Sequence, residues 1–111
     1  MVELLISHGA NINEKNNNGF TALHYAAKNN NKEIAELLIS HGANINEKNK
    51  WRETALHYAA YKNCKETVEL LISHGANINE KDYSNFTACH YAKWNDNKEI
   101  LQLLVSHDAM I

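Results

Sequence analysis

The sequence predicts an all-α solenoid, in which helix-turn-helix units stack side by side and are joined by turns that resemble β-hairpins. The first observation is the phrase ELLISHGANINEK, which stands at residues 3–15, 36–48 and 69–81. The second is the phrase TALHYA at residues 21–26 and 54–59, with TACHYA at residues 87–92. Both phrases return every 33 residues. A unit this short cannot enclose a hydrophobic core alone, so neighbouring units must bury one together.

The repeat period divides the chain into one half unit at residues 1–15 and three units at residues 16–48, 49–81 and 82–111. Together they form a single domain of residues 1–111. Because the chain opens inside a unit, we expect it to be a segment of a longer array, with residues 49–81 the best protected part. The helix predicted at residues 1–7 then lacks its preceding helix. We therefore expect a monomer with weak end-to-end self-association through that apolar end.

Each unit begins with a turn, and in the first unit its letters are KNNNGF. Gly19 can supply the left-handed backbone that a tight turn requires. Thr21 predicts a helix N-cap, because its hydroxyl can accept a hydrogen bond from a free backbone N–H. The helix ALHYAAKN has a buried face of apolar residues at helical spacing, namely Leu23, Ala26 and Ala27. The NN pair at residues 29–30 ends this helix, since Asn tolerates a left-handed C-terminal cap.

The second half of the unit is a longer helix and a return segment. Asn31 can cap the helix KEIAELLISH, whose apolar stripe consists of Ile34, Leu37 and Leu38. Gly42 ends the helix, as Gly9 and Gly75 do in their copies. The letters ANIN alternate apolar and polar residues, so they predict an extended segment that points Ala43 and Ile45 inward.

The motif NGFTALHYAA…KEIAELLISHGANIN resembles the ankyrin repeat, whose first helix carries T-P-L-H and whose second helix is followed by G-A-D-V-N. The resemblance covers the whole chain and implies paired helices that bind a protein partner on a concave face formed by turn tips and first helices. The family's turn glycine is kept at Gly19 and replaced by Arg52 and Asn85. Arg52 is expected to strain its turn, because a positive φ is costly for a residue with a side chain. The third unit departs most, at Cys89, Lys93 and Asp108.

Composition and charge exclude several classes of protein. The chain has 11 Lys and Arg residues against 13 Asp and Glu residues, a formal charge of −2, so it lacks the basic surface of a nucleic-acid-binding protein. No apolar run is long enough to cross a membrane, and the N-terminus lacks the charged start of a signal peptide. Cys64 and Cys89 do not recur with the period, which favours free thiols in a reducing compartment. We expect a cytoplasmic or nuclear protein.

The seven histidines raise the question of a metal site. They form two periodic series, which are His8, His41, His74 and His107, and His24, His57 and His90. Equivalent positions on stacked helices lie about 8–10 Å apart, whereas a Zn–N bond measures about 2.0–2.1 Å. One series is therefore a poor zinc site. The family resemblance implies that the T-x-x-H histidine is a hydrogen-bonded strut between units, and we predict no metal and no other cofactor.

Catalysis requires a singular arrangement of reactive groups, and the sequence shows none. Cys89 adjoins His90, but neighbours on a helix point about 100° apart, and Cys89 stands at a core position where a thiol is inert. The Ser-His pairs repeat with the frame, and no glycine-rich phosphate loop is present. We expect no enzymatic activity.

Function is expected where the copies differ, because the repeated letters serve the stacking frame. Tyr25, Tyr58 and Tyr91 share one frame position and are assigned to the scaffold, whereas the other six aromatic residues all fall at variable sites. Such rings are enriched in interfaces, and the lysines among them, including Lys93, favour an acidic or anionic partner surface. The predicted partner-binding residues are Phe20, Lys28, Lys50, Trp51, Glu53, Tyr61, Lys62, Tyr83, Phe86 and Trp94.

We interpret the chain as a protein-binding module whose partner the sequence does not identify. A mechanical spacer is one alternative, and it predicts variable sites without aromatic clustering. An enzyme is the competing class, and it predicts a singular, non-periodic polar cluster in a cleft, which the sequence does not show; an accessory domain of an enzyme is a further alternative. The rings also have structural alternatives, since some could cover the turn of the next unit and Trp94 could close the end of the stack. The four lysines could form only a solvated rim.

Overall fold

The structure is a computed structural model that describes residues 11–107. Every regular element in that range is an α-helix, which confirms the all-α prediction. Each unit supplies a short first helix and a longer second helix. In chain order the helices are α1 Ala22–Lys28, α2 Lys32–Ser40, α3 Ala55–Tyr61, α4 Lys65–Ser73, α5 Ala88–Trp94 and α6 Lys98–Ser106.

The helices form two rows in an elongated molecule of 42 × 25 × 20 Å. The first helices α1, α3 and α5 pack side by side, the second helices α2, α4 and α6 do the same, and the two helices of each unit also pack together. Between the rows lies a core of Leu, Ala, Val, Ile and two Cys side chains. No aromatic side chain of residues 11–107 is fully buried in it. The predicted stacking is therefore confirmed, and the core between the rows is aliphatic apart from its two cysteines.

A threonine and a histidine fix the start of each first helix. The Thr21 hydroxyl accepts from the backbone N–H of His24 at 3.4 Å, and the Thr21 backbone N–H donates to His24 Nδ1 at 3.0 Å. Because Nδ1 is an acceptor, the proton of the neutral ring lies on Nε2, which donates to the Glu53 carbonyl at 2.9 Å. His57 repeats this bond to the Phe86 carbonyl at 2.9 Å. The expected strut between units is confirmed for both histidines.

Each turn tip is organised by the side chain at its first position. In the second unit, Asn49 Oδ1 accepts from the backbone N–H groups of Trp51 and Glu53, both at 2.9 Å. The other tips have the same pair of bonds. The residues with this role are Asn16, Asn49 and Asp82. Asn and Asp are common in turns because their side-chain oxygens accept from backbone N–H groups that have no backbone partner there.

Consecutive turn tips are joined by a backbone hydrogen bond. Lys50 N–H donates to the Asn18 carbonyl at 2.9 Å, and Tyr83 N–H donates to the Trp51 carbonyl at 3.1 Å. The part of the chain that the structure describes contains no assigned strand. The tips are thus hairpin-like turns that pair edge to edge without forming a sheet.

The fourth residue of each tip has left-handed backbone, with φ of 80° at Gly19, 61° at Arg52 and 65° at Asn85. The second turn therefore has the same conformation as the first, although Arg52 replaces glycine. The two hydrogen bonds to Asn49 Oδ1 close this turn. Glycine has a second purpose in the first tip. A Cβ at Gly19 would lie 2.9 Å from the backbone nitrogen of Lys50. Any side chain there would push the adjacent tips apart.

The extended segment predicted for ANIN is wrong. The chain makes a turn at Ile45 and Asn46, which a 3.4 Å bond from Glu47 N–H to the Asn44 carbonyl closes. The reason is local hydrogen bonding, since the Asn44 side chain also donates to the Glu47 carboxylate at 3.2 Å. Ile45 and the preceding Ala43 are nevertheless half-buried against the core, as predicted.

The ends of the helices follow the predicted signals. Asn30 has φ of 53°, and Gly42 and Gly75 have φ of 93° and 95°. Lys93 is exposed, whereas Cys89 is buried at its core position. Several predictions fall outside the described residues, namely those for Gly9, Asp108, the helix at residues 1–7 and the self-association through it.

The second unit has Cys64 at the position where the first and third units have Asn31 and Asn97. Asn31 caps α2 by accepting from the backbone N–H three residues later at 3.2 Å, and the Asn97 amide donates to the Ala60 carbonyl at 2.8 Å. Cys64 makes no side-chain bond to the start of α4, and its thiol has only a weak contact of 3.9 Å with the Ala27 carbonyl. Nearby, the buried hydroxyl of Thr67 has no hydrogen-bond partner among the described residues. Both sites are weak points in the middle of the stack.

Candidate functional site

The ten predicted partner-binding residues all belong to the turn tips, the first helices or the C-terminal ends of those helices, which together we call the tip face. It consists of the turn tips at residues 16–20, 49–53 and 82–86 and of the first helices with their C-terminal ends. Phe20, Glu53 and Phe86 are half-buried there, and the predicted lysines are exposed. Four large rings are exposed by 43–65 %, and they are Trp51, Tyr61, Tyr83 and Trp94.

A first ring cluster surrounds Phe20. Its ring stacks on Tyr25 at 5.2 Å and reaches the next unit, where it lies 6.1 Å from Trp51 and 5.8 Å from Tyr58. Phe20 therefore fills the space between two units. Its structural alternative is supported, and the exposed rings of this cluster are the frame residue Tyr25 and the predicted residue Trp51.

A second ring cluster lies at the other end of the tip face. Trp94 packs edge-to-face against Phe86 at 4.5 Å and against Tyr91 at 5.3 Å. Tyr61 approaches the same Tyr91 at 6.1 Å. Tyr83 stands apart from both clusters, and its ring contacts the guanidinium of Arg52 at 4.9 Å. The tip face thus presents exposed rings that are held by contacts between neighbouring units.

The lysines of the tip face differ from the lysines of the frame. The frame lysines pair with a glutamate of the next unit, in the pairs Lys15–Glu47, Lys32–Glu66, Lys48–Glu80 and Lys65–Glu99. Within residues 11–107, no ion pair is formed by the tip-face lysines Lys28, Lys50, Lys62 and Lys93. The ammonium groups of Lys50 and Lys62 instead lie 5.7 and 5.8 Å from the ring centres of Trp51 and Tyr61. Their charge is therefore available to an approaching partner.

The repeated tyrosines hold the turn tips, which agrees with their assignment to the scaffold. The Tyr25 hydroxyl accepts from the Asn16 amide at 2.7 Å, and the Tyr58 hydroxyl accepts from the Asn49 amide at 3.1 Å. Tyr58 also donates to Glu53 Oε1. Burial, together with this carboxylate, raises the pKa of Tyr58.

Two carboxylates meet at the hydroxyl of Tyr91. That hydroxyl donates to Asp82 Oδ2, while Glu53 Oε2 lies 3.4 Å away from it. A phenol has one proton to donate, and the shorter contact with Asp82 receives it. Neither carboxylate forms an ion pair in the described part of the chain. Burial and the neighbouring Asp82 raise the pKa of Tyr91.

A pocket of about 140 Å³ opens beside Glu53, and its walls are His57, Tyr58, Tyr61 and Tyr91. One unit earlier, the equivalent space is filled by the ring of Phe20, which lies 5.2–5.8 Å from the rings of His24, Tyr25 and Tyr58. Addition of 33 to these three numbers gives His57, Tyr58 and Tyr91. The pocket therefore exists because Glu53 stands where the first unit has a phenylalanine.

Sequence reasoning singled out Glu53 and Tyr61 but not the other walls, His57, Tyr58 and Tyr91, because it assigned the repeated tyrosines and histidines to the frame alone. It also missed Asp82. One signal was present, since Asp82 is an acid at a position where the two earlier units have Asn16 and Asn49. This change from amide to carboxylate at a repeated position gives the third turn tip a negative charge that the two earlier tips lack at this position.

The reactive side chains are engaged in structure. Cys64 and Cys89 are free and buried, and burial raises the pKa of both thiols, which makes them poor nucleophiles at neutral pH. Both ring nitrogens of His24 and His57 are hydrogen-bonded. Residues 11–107 contain no cluster of three or more side chains that could hold a metal ion. No helix among them is long and apolar enough to cross a membrane.

Comparison with known proteins accords with the architecture of paired helices, threonine caps and histidine struts. A family model described as ankyrin repeats, in three copies, matches residues 1–49 and 41–111. The two matches together span the whole chain. No curated protein matches it. The chain belongs to the ankyrin-repeat family.

Proposed function

We propose that this chain is a protein-interaction module that binds its partner through the tip face, and that the tip face is the concave side of the stack. Ankyrin repeats are generally protein–protein interaction modules. The observation that carries the assignment to this surface is the exposure of Trp51, Tyr61, Tyr83 and Trp94 at positions where the otherwise repeated units differ.

The energetics of such rings support the proposal. Large aromatic side chains bury much apolar area and lose little conformational entropy when a partner covers them. Truncation of a central aromatic anchor commonly costs about 2 kcal/mol or more, which is roughly thirtyfold in affinity. Phe20 and Phe86 have a different part in this proposal. Both rings are half-buried, and they pack against the exposed rings of Trp51 and Trp94 and hold them in place.

The charges of the tip face suggest the chemistry of the partner. Lys28, Lys50 and Lys62 form no ion pair within residues 11–107, so a partner can pair with them without breaking an existing bridge. Complementary charge at a rim mainly increases the association rate and the specificity. We therefore propose a partner whose contacting surface is acidic around the place where the exposed rings bind.

We further propose that the chain acts without catalysis and in a reducing compartment, the cytoplasm or the nucleus. The two buried free thiols are consistent with such a compartment. Two other roles remain for the test to separate. A mechanical spacer needs no exposed rings, and an accessory domain of an enzyme would contact its catalytic partner through the same surface.

The test is a comparison of captured proteins. The wild-type chain, a tip-face variant (Trp51→Ala, Tyr61→Ala, Tyr83→Ala) and a control variant of α2, α4 and α6 (Glu36→Ala, Glu69→Ala, Gln102→Ala) are immobilised and exposed to the same extract. The control changes one exposed position of each second helix. We expect a set of proteins that the wild type and the control retain and the tip-face variant loses.

The affinity for a partner identified in this way is then measured by calorimetry with each single alanine variant, after circular dichroism shows that each variant is folded. Binding should weaken about thirtyfold for at least one of the three rings. Equal capture by the tip-face variant and the wild type would contradict the proposal. Loss of capture by the control variant alone would move the interface to the second helices. Absence of any captured protein would favour the spacer.

A further inference from the structure

The pocket beside Glu53 can take only a small group, and its walls restrict what that group can be. A cavity of about 150 Å³ holds one benzene molecule, and this pocket has about 140 Å³. The walls are mostly rings, and the equivalent space one unit earlier holds the flat ring of Phe20. The size and shape of the pocket therefore suit the planar end of one side chain better than a nucleotide or a peptide backbone.

The carboxylate in the pocket adds a requirement for hydrogen-bond donors. Glu53 Oε1 already accepts from the Tyr58 hydroxyl and from the Asn49 amide at 3.0 Å. Among residues 11–107, Glu53 Oε2 has the Tyr91 hydroxyl as its one hydrogen-bonding neighbour, at 3.4 Å, and that hydroxyl gives its proton to Asp82. One carboxylate oxygen thus receives no proton from the part of the chain that the structure describes. A group that enters the pocket can supply a donor.

The charge around the pocket is unbalanced. Glu53 and Asp82 both approach the Tyr91 hydroxyl, and neither has a cationic partner in the described part of the chain. Lys62 lies over the Tyr61 ring at the rim and does not pair with Glu53. An occupant with a positive charge would compensate both carboxylates.

We propose, on the basis of the protein-binding function above, that this pocket receives the guanidinium of an arginine side chain presented by the partner. A guanidinium is flat, stacks on aromatic faces, is weakly hydrated and has several N–H donors that suit a carboxylate. A lysine ammonium is compact and strongly hydrated, so it fits ring-shaped space less well. A phenylalanine ring would leave Glu53 Oε2 without a donor, and a tyrosine would bring no charge.

The arginine pocket and the lysine rim describe one partner surface. The lysines at the edge attract acidic residues, while the pocket selects one arginine among them. Two features of opposite charge next to each other give more discrimination than either alone, because a partner must satisfy both. The pocket therefore determines the register of binding.

The test uses a small probe, so it needs no partner protein. The labelled 111-residue chain is titrated with N-acetyl-arginine amide and followed by NMR, with N-acetyl-citrulline amide as the neutral isostere of the same shape. N-acetyl-lysine amide and N-acetyl-phenylalanine amide are the other two probes. We expect saturable chemical-shift changes at Glu53, Tyr58, Tyr61 and Tyr91 with the arginine probe. The other three probes should bind with an affinity at least about tenfold lower.

Three variants locate the effect. Glu53→Gln removes the charge and should weaken arginine binding about tenfold. Glu53→Phe restores the residue of the first unit, fills the pocket and should abolish binding. Glu69→Gln removes an exposed carboxylate on α4 and should change nothing. An unchanged amide spectrum away from the site shows that each variant is folded.

The inference is overturned if citrulline binds as well as arginine, if Glu53→Gln binds with wild-type affinity, or if the shifts spread evenly over the exposed carboxylates. These results concern the pocket alone. The capture experiment with the exposed rings could still succeed after such a failure, and a successful titration would stand even if no partner were captured. The two proposals therefore fail separately.

Discussion

Replacement of Thr67 by valine should stabilise the protein, although most substitutions at a fully buried site destabilise. The Thr67 side chain lies inside the stack on α4 with no exposed surface, and its hydroxyl has no hydrogen-bond partner among the described residues. Valine has the same shape with a methyl group in place of the hydroxyl. The equivalent positions in the other units are Ile34 and Ile100, so the site is apolar elsewhere in the array.

The expected magnitude follows from the cost of an unsatisfied polar group. A buried donor or acceptor without a partner costs about 1–3 kcal/mol. Thr and Val are both β-branched and have similar helix propensities, so no opposing backbone term arises. The free energy of unfolding should therefore rise by about 1 kcal/mol or more. With a urea m-value of about 1–3 kcal/mol/M, the midpoint rises by roughly 0.3–1 M.

The assay is equilibrium urea unfolding followed by circular dichroism, with Thr67→Ser as the matched control. Serine keeps the hydroxyl and loses the methyl group, so it should lower the free energy of unfolding by about 1 kcal/mol. Valine and serine are thus expected to move the midpoint in opposite directions. A valine variant with a lower midpoint than the wild type and an unchanged m-value would show that the hydroxyl is satisfied, and the reasoning would be refuted.

Three further changes test other parts of the frame. Cys64→Asn should stabilise by about 1 kcal/mol, because an Asn can cap α4 and its amide can replace the weak 3.9 Å contact of the Cys64 thiol with the Ala27 carbonyl; a lower urea midpoint would argue against it. Gly19→Ala should destabilise by about 1–2 kcal/mol or more, because φ is positive and the Cβ meets the next tip; thermal unfolding checks it. Burial lowers the pKa of His24 and His57 below the unfolded value near 6.5. Below that pH the unfolded chain binds more protons than the folded chain. The free energy of unfolding should therefore be highest above about pH 6.5 and should decrease as the pH falls towards the folded pKa values. Equal urea midpoints across this pH range would contradict the prediction.

The frame was predictable from the sequence because it is written three times. Thr21 and the histidine three residues later recur with the period, and the structure uses them as a cap and a strut. Asn30, Gly42 and Gly75 were predicted from their tolerance of left-handed backbone, which they have. The turn in ANIN could not be read from hydropathy, because the side-chain bonds of its asparagines, rather than the alternation of apolar residues, decide its conformation.

The tip face was predictable as a set of positions, but its internal geometry was not. Comparison of the copies found Trp51 and Tyr61, and both are exposed. It did not distinguish Phe20, which packs between units, from the rings that face solvent. The pocket forms because Glu53 does not fill the space that the Phe20 ring fills in the first unit. That knowledge requires the positions of side chains from two units.

The hydrogen bonds between units have a consequence for the speed of folding. Those that the structure describes join residues 29–38 positions apart in the chain. Relative contact order divides the mean separation of contacting residues by chain length, and low values accompany fast folding. Because each unit closes a loop of the same length as the one before, the entropy of loop closure does not grow along the stack. We therefore expect the pairing of two adjacent units to set the folding barrier. Each further unit then packs on a unit that is already folded, and its loop-closure entropy does not depend on the length of the array.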